Sequence, residues 1–297
     1  MHSFLARIYE RLTGDPFPGS PDSVGRAAVG AFAVGVLAFG FELTNPTLGV
    51  DDYQFLATEH AWIDWVAARG MWGAIVVQAL IPSSWITPFV GVLLGIGIQV
   101  ISGILAGWYI GFPCRRALPL FVFYTTWATF PYFAAQMAFS YLQIGYPLAS
   151  LLVVLGLGLG AGGREMRAAR VVGSALLIGF GISVYPGCMS LIGPLILLKI
   201  ARELLDSSES RAAFSEIGRV LARAGAGLVL AALFYYVAHQ LVLSIFSLEP
   251  LKSHYYQVSF APAFWERWAA ILRRTEFLLL GAGDVIPIAS FGFLAVS

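Results

Sequence analysis

The chain has 297 residues, 58% of them apolar and only 12% charged, and its mean hydropathy is +0.78. Soluble domains carry about 25% charged residues, so half that density excludes a water-solvated surface over the whole chain. A net charge of +1 with no basic arm gives no reason to expect a nucleic-acid partner.

In chain order, residues 1–25 form a polar segment with Arg7, Arg11, Asp15, Asp22 and a Pro/Gly/Ser stretch from Pro16 to Pro21. No small-residue cleavage site follows the first apolar run, so that run is expected to stay as an anchor. It spans Val24 to Leu43. Arg7, Arg11 and Arg26 precede it, while Glu42, Asp51, Asp52, Glu59 and Asp64 follow. The lysine/arginine bias therefore puts the N-terminus in the cytoplasm and the acidic loop outside.

The outer loop, 42–85, contains two further helices. Tyr53 to Ala68 carries Glu59, His60 and Asp64 and is too polar to cross, but its apolar positions recur at helical spacing around Trp62 and Trp65. Such a helix suits the membrane interface. Met71 to Ile81 is apolar but short of the roughly 20 residues that a crossing needs, and is a second interfacial or partly inserted helix. Ile86 to Phe112 then returns to Arg115 and Arg116. Ala117 to Phe139 goes out, and Ile144 to Gly163 comes back to Arg164, Arg167 and Arg170.

Val171 to Leu198 is a run of 28 uncharged residues, long for one helix and short for two. The sequence Ser183-Val184-Tyr185-Pro186-Gly187 breaks it, because proline lacks an amide and crowds the preceding turn. Two short tilted helices that turn at the outer face would leave Lys199, Arg202, Arg211, Arg219 and Arg223 inside; a single crossing would invert everything after it. Charge is nearly neutral between the two, and the first is preferred. Ala224 to Phe246 goes out again, and 248–284 is a second outer segment with an interfacial helix, Ala263 to Leu272, bearing Trp265 and Trp268. Val285 opens a last apolar run of only 13 residues, which reads as a helix cut short at the C-terminus. The expected architecture is one all-α membrane domain, 1–297, with about 7–8 spans. Cys114 and Cys188 fall near opposite faces and are expected as two free thiols rather than a disulfide framework.

Chemistry concentrates in the first outer loop, where Glu42, Asp51 and Asp52 lie within eleven residues. Solvation of a polar loop explains acidic residues there equally well. Glu42, however, sits among Phe39, Phe41 and Leu43, where burial disfavours the ionised carboxylate. Pro46 and Gly49 suit a loop tucked against protein. One aspartate is positioned to take a proton while the other holds a cation or a sugar hydroxyl. Arg69, near the same interface, is either a cation for a leaving phosphate or a snorkelling arginine. Trp62, Trp65, Trp72, Trp265 and Trp268 fit an interfacial belt or sugar stacking. His60 and His254 match no zinc spacing, so no metal or other cofactor is expected, although carboxylates leave room for a divalent ion. No glycine motif for a nucleotide phosphate is present.

Four segments together carry a family resemblance. Phe41-Glu42-Leu43-Thr44-Asn45-Pro46-Thr47-Leu48-Gly49-Val50-Asp51-Asp52 resembles the first outer loop of the GtrII-like bacterial glucosyltransferases, membrane enzymes of GT-C type that modify O-antigen. Arg69-Gly70-Met71-Trp72-Gly73 resembles their Gly-Arg-Trp-Gly signature. Thr129-Phe130-Pro131-Tyr132-Phe133-Ala134-Ala135-Gln136 is similar to their proline-bearing third helix, and Ser183-Val184-Tyr185-Pro186 to their serine-isoleucine-tyrosine break. Order and spacing agree over residues 26–205. Three positions depart from the pattern: Met71 replaces an arginine, Ala135 an acidic residue, and Pro186 a polar one.

The resemblance implies a hexosyltransferase of the bacterial inner membrane. Its donor would be undecaprenyl-phosphate-linked hexose, most simply glucose, and its acceptor a lipid-linked O-antigen or other surface glycan, with transfer at the periplasmic face. Asp51 or Asp52 would be the general base and Glu42 a carboxylate of the same site. Arg69, Trp72, Tyr53, Gln136 and Tyr185 would touch substrate. Two alternatives remain: a flippase or transporter for a lipid-linked glycan, and an inactive shortened homologue. Inverted repeats and midplane charges would mark a transporter, and neither is evident. For topology, a cysteine introduced at Ser208 is expected to react with an impermeant maleimide only from the cytoplasmic side; reaction from outside alone would establish the single crossing.

Overall fold

An apolar chain in lipid must satisfy its backbone internally, which leaves helices or closed barrels. A computed structural model describes residues 21–44, 59–80, 88–112, 116–130, 133, 142–161, 168–206 and 210–248, and among them all regular structure is helical. The chain divides into two compact units, Met1–Pro250 and Leu251–Ser297, and every described residue belongs to the first. Residues 1–20 and 249–297, the latter holding the expected second outer segment and the last apolar run, lie outside the description.

Helix α1, Pro21–Ala38, starts on a proline, which suits the first helical position, with Asp22 in the first turn. At Phe39 it gives way to a short α2, Gly40–Thr44. Helices α3, Glu59–Ala68, and α4, Trp72–Leu80, follow as two separate short helices, as their sequence patterns require. Next come α5, Pro88–Ile110, α6, Ala117–Ala128, and α7, Leu142–Ala161. Helix α8, Ala168–Val184, ends at a 3-10 turn, Pro186–Leu191, and α9, Ile192–Asp206, continues from it. Helix α10, Ser210–Ile245, is a single rod of 36 residues, about 54 Å long at 1.5 Å per residue.

Among the described residues, three stretches are long and apolar enough to cross a membrane: Phe89–Ile110, Gln143–Gly160 and Phe214–Ile245; Ala117–Ala128 and Ala168–Val184 are shorter apolar helices. Those lengths identify a helical membrane protein. Side-chain contacts give the helix directions. Pairs Gly156–Ile178, Gly160–Ser174 and Gly145–Val184 make α7 and α8 antiparallel. Pairs Gly103–Trp127 and Gly107–Phe123 make α5 and α6 antiparallel. Ser174 lies by Gly227 and Gly179 by Phe234, so α8 and α10 run the same way. The bundle is thus ordered with α1 and α6 on one flank of α5, α7 and α8 beyond it, and α10 outside α8. Tyr109, Val153, Ile178 and Leu195 share the main apolar core.

The ambiguous run turns back on itself. Helix α8 stops at Val184, and α9 brings the Arg202 side chain within 3.5 Å of where a Cβ on Gly111 would stand, at the far end of α5. Helix α6 is shorter than the run Ala117 to Phe139 anticipated, ending at Ala128. Pro131 explains this, because the residue before a proline is driven out of the helical region and the helix stops short of it. The Thr129 hydroxyl closes the last turn by donating to the Thr125 carbonyl at 2.8 Å.

Between α7 and α8 the helices touch through backbone. A Cβ on Gly156 would stand 3.0 Å from the Ser174 carbonyl oxygen and 3.2 Å from the Ile178 nitrogen. Gly156→Val is therefore expected to lower stability by about 1–3 kcal/mol, the usual cost of overpacking, seen as a reduced melting temperature of the purified protein in detergent.

Candidate functional site

Tyr185 packs against two apolar clusters, and each of the four resembling segments places a described residue in or against one of them. The tyrosine precedes Pro186, and its backbone is extended, with φ −152° and ψ 107°, the conformation that a following proline enforces. Its amide still donates to the Gly181 carbonyl at 3.0 Å, and its own carbonyl accepts from the Cys188 amide at 3.1 Å. The reversal thus leaves both Tyr185 backbone groups bonded, and the ring stands fixed at the end of α8.

That ring packs on two clusters. On one side are Phe39, Val92, Ile96, Phe133 and Tyr146, with Leu43 against them. Ring centroids follow one another from Phe39 to Phe133 at 5.4 Å, Phe133 to Tyr146 at 5.8 Å and Tyr146 to Tyr185 at 5.4 Å. Edge-to-face and offset pairs of this kind add about 0.5–1.5 kcal/mol each beyond burial. On the other side are Val66 and Met71, with Ile63 and Trp65 packed against them. Leu43, Met71, Phe133 and Tyr185 come from the four segments in turn.

Helices α3 and α4 are joined by a glycine-terminated cap. Gly70 has φ +80°; its amide donates to the Ala67 carbonyl at 3.0 Å and the Met71 amide to the Val66 carbonyl at 3.0 Å. This paired 5→2 and 6→1 pattern, with Met71 packed on Val66, is a Schellman cap. Arg69 stands at this turn, half-buried, with its guanidinium carbon 3.4 Å from the Trp65 ring centroid. Trp72 opens α4 and packs against Phe180 and Phe234, at 5.8 and 6.2 Å between centroids. Gly73 lies flat on the end of α8: an added Cβ would stand 2.8 Å from the Val184 nitrogen.

Beside the Tyr-Pro-Gly reversal opens a groove of about 510 Å³ lined by Phe130, Tyr146, Pro186, Gly187, Ser190 and Leu191. Its wall is mostly apolar, with the Ser190 hydroxyl donating to the Gly187 carbonyl at 2.8 Å. Cys188, behind that wall, is fully buried and unpaired. Its burial keeps solvent and reagents from the sulfur.

Of the residues expected to form the site, Arg69, Trp72 and Tyr185 are brought together at one end of the bundle. Glu42 is placed by its backbone on α2, next to Leu43, which packs in the aromatic cluster; its side chain is outside the description. Asp51, Asp52, Tyr53, Gln136, His60, His254 and Cys114 also lie outside the described residues, so far as their side chains are concerned. Among the described residues no cluster of histidine, cysteine and carboxylate side chains suits a metal ion.

Sequence reasoning missed Tyr146, which lines the groove and bridges Phe133 to Tyr185, and Tyr235 and His239 on α10. Tyr235 and His239 are separated by four residues, hence on one face of a helix, and that spacing was available as a signal. No family model matches the chain, and comparisons with curated proteins and with solved structures gave no match.

With Cys114→Ser, Cys188 becomes the sole thiol. It is expected to resist a maleimide at pH 7 in the folded protein and to react fully once the protein is denatured, as read by mass spectrometry.

Proposed function

We propose that this chain is a membrane hexosyltransferase of GtrII-like, GT-C type, with about 7–8 spans in the bacterial inner membrane and an active site on the periplasmic side. It transfers a hexose, glucose in the simplest case, from an undecaprenyl-phosphate donor to a lipid-linked O-antigen or other surface glycan. One observation carries the reading. Leu43, Met71, Phe133 and Tyr185, one residue from each of four segments matched to one family pattern, fall in two neighbouring apolar clusters that share Tyr185. A fortuitous pattern gives no reason for such convergence; a pattern that marks a site does.

In the proposed reaction the acceptor hydroxyl loses its proton to Asp51 or Asp52 and attacks the anomeric carbon. The bond from that carbon to the phosphate oxygen breaks, and undecaprenyl phosphate leaves with the electron pair. Glu42 belongs to the same site, and Arg69 at the α3–α4 turn meets the departing phosphate. Tyr53, Trp72, Gln136 and Tyr185 complete the substrate-binding set. The donor is already activated as a phosphate ester, so no further cofactor enters the scheme.

Asp51→Asn and Asp52→Asn, made separately in inserted and folded protein, are expected to include at least one variant whose transfer from a polyprenyl-phosphate hexose falls 100-fold or more, on the scale of a lost general base. Full transfer by both would remove the site assignment. Movement of the lipid across vesicles by the wild-type protein, with no glycan product, would support the flippase reading instead.

A further inference from the structure

Helix α10 reaches the first outer loop through two side chains that the scheme above does not use. His239 Nε2 lies 3.1 Å from the Ala67 carbonyl oxygen, 172 positions earlier in the chain. A carbonyl oxygen only accepts, so Nε2 carries the proton and donates. That oxygen already receives the Gly70 amide, and a carbonyl has two lone pairs; His239 takes the second. The Tyr235 ring stacks on His239 with 6.0 Å between centroids. Its hydroxyl occupies the place where a Cβ on Gly70 would be. The two side chains therefore bear on the carbonyl and the glycine that define the cap joining α3 to α4.

The location matters because the cap sets where Arg69 stands. The Gly70 amide leaves one lone pair of the Ala67 carbonyl open, and in an apolar setting a donor that reaches it adds a second bond. A histidine projecting from the neighbouring helix is a donor of the right reach.

We propose that His239, backed by Tyr235, is a positioning residue that locks the α3–α4 cap and so fixes Arg69 for the reaction. The catalytic part of this inference rests on the transferase reading; the lock itself does not. Arg69 supplies a direct probe, because it is the single lysine or arginine between Arg26 and Arg115. Trypsin therefore reports on this turn without interference from neighbouring sites.

The test uses the full chain in lipid nanodiscs. Cleavage after Arg69 is followed by mass spectrometry, alongside hexose transfer from a polyprenyl-phosphate donor. His239→Phe keeps a flat ring but loses the donor, and is expected to raise the cleavage rate at Arg69 at least 5-fold and to cut transfer at least 10-fold. His239→Gln restores an N–H donor and is expected to return both to within about 2-fold of wild type. Gly70→Ala, made on the other side of the contact, should also raise cleavage. It guards against a variant on α10 that fails to fold.

Unchanged cleavage in both His239→Phe and Gly70→Ala would overturn the lock. Raised cleavage with undiminished transfer would overturn its role in positioning Arg69. Absence of transfer by the wild-type protein would remove the transferase reading and with it the catalytic role, leaving cleavage alone to decide whether the lock exists.

Discussion

A backbone that reverses inside an apolar protein has to find partners for its amides and carbonyls away from water, and the reversal at Tyr185 shows how this chain does so. Tyr185 keeps its helical bond to Gly181, the 3-10 turn begins on a proline that has no amide to satisfy, and the Tyr185 carbonyl is taken by Cys188. Ser183 and Ser190 donate their hydroxyls to the carbonyls of Phe180 and Gly187, at 2.7 and 2.8 Å. With the backbone settled in this way, the tyrosine ring is free to act as a packing element. Met71 and Trp65, Tyr146 at the start of α7, and Phe133 all lie against it or against its neighbours. Remove the reversal, and those segments lose their common wall.

The same economy governs the α3–α4 junction. Its glycine takes the left-handed conformation that other residues adopt with strain, and Met71 closes the apolar side of the cap on Val66. Gly73 then admits the backbone of α8. In this chain Met71 occupies the place of an arginine in the pattern it resembles, and its buried position suits a methionine: a thioether fills the space beneath Tyr185 without a charge to satisfy. Arg69, at the turn itself, is the cation left at this junction.

Much of this was legible from residues alone, for identifiable reasons. Long uncharged runs such as Phe89–Ile110 announce themselves through length and composition. The break at Pro186 follows from a proline that cannot continue a helix. The end of α6 at Ala128 was missed, although Pro131 signals it, because the absence of any charge from Ala117 to Phe139 outweighed it. The spacing of Tyr235 and His239 puts them on one face of a helix, but what that face meets, like the partner of Tyr146, is not written locally, because Tyr185, Gly70 and Ala67 are 39 or more positions away. Composition and periodicity report on a residue's own helix and are silent about the helix it meets. Asp51 and Asp52, the core of the candidate site, rest on sequence pattern alone.

The unequal burial of the long helices bears on how this sequence can drift over generations. In α5 and α7, 61% of the apolar window is buried within the described protein, against 11% in α10. Positions such as Val229, Leu233, Val237 and Leu241, all more than half exposed, ask only for an apolar side chain and accept many. Gly227, Ala231, Tyr235 and His239 face other helices and accept few. Helix α10 should therefore record ancestry along one narrow stripe, while its opposite face turns over almost freely among apolar residues. A whole-sequence comparison averages the two together, and so dilutes kinship that the stripe retains.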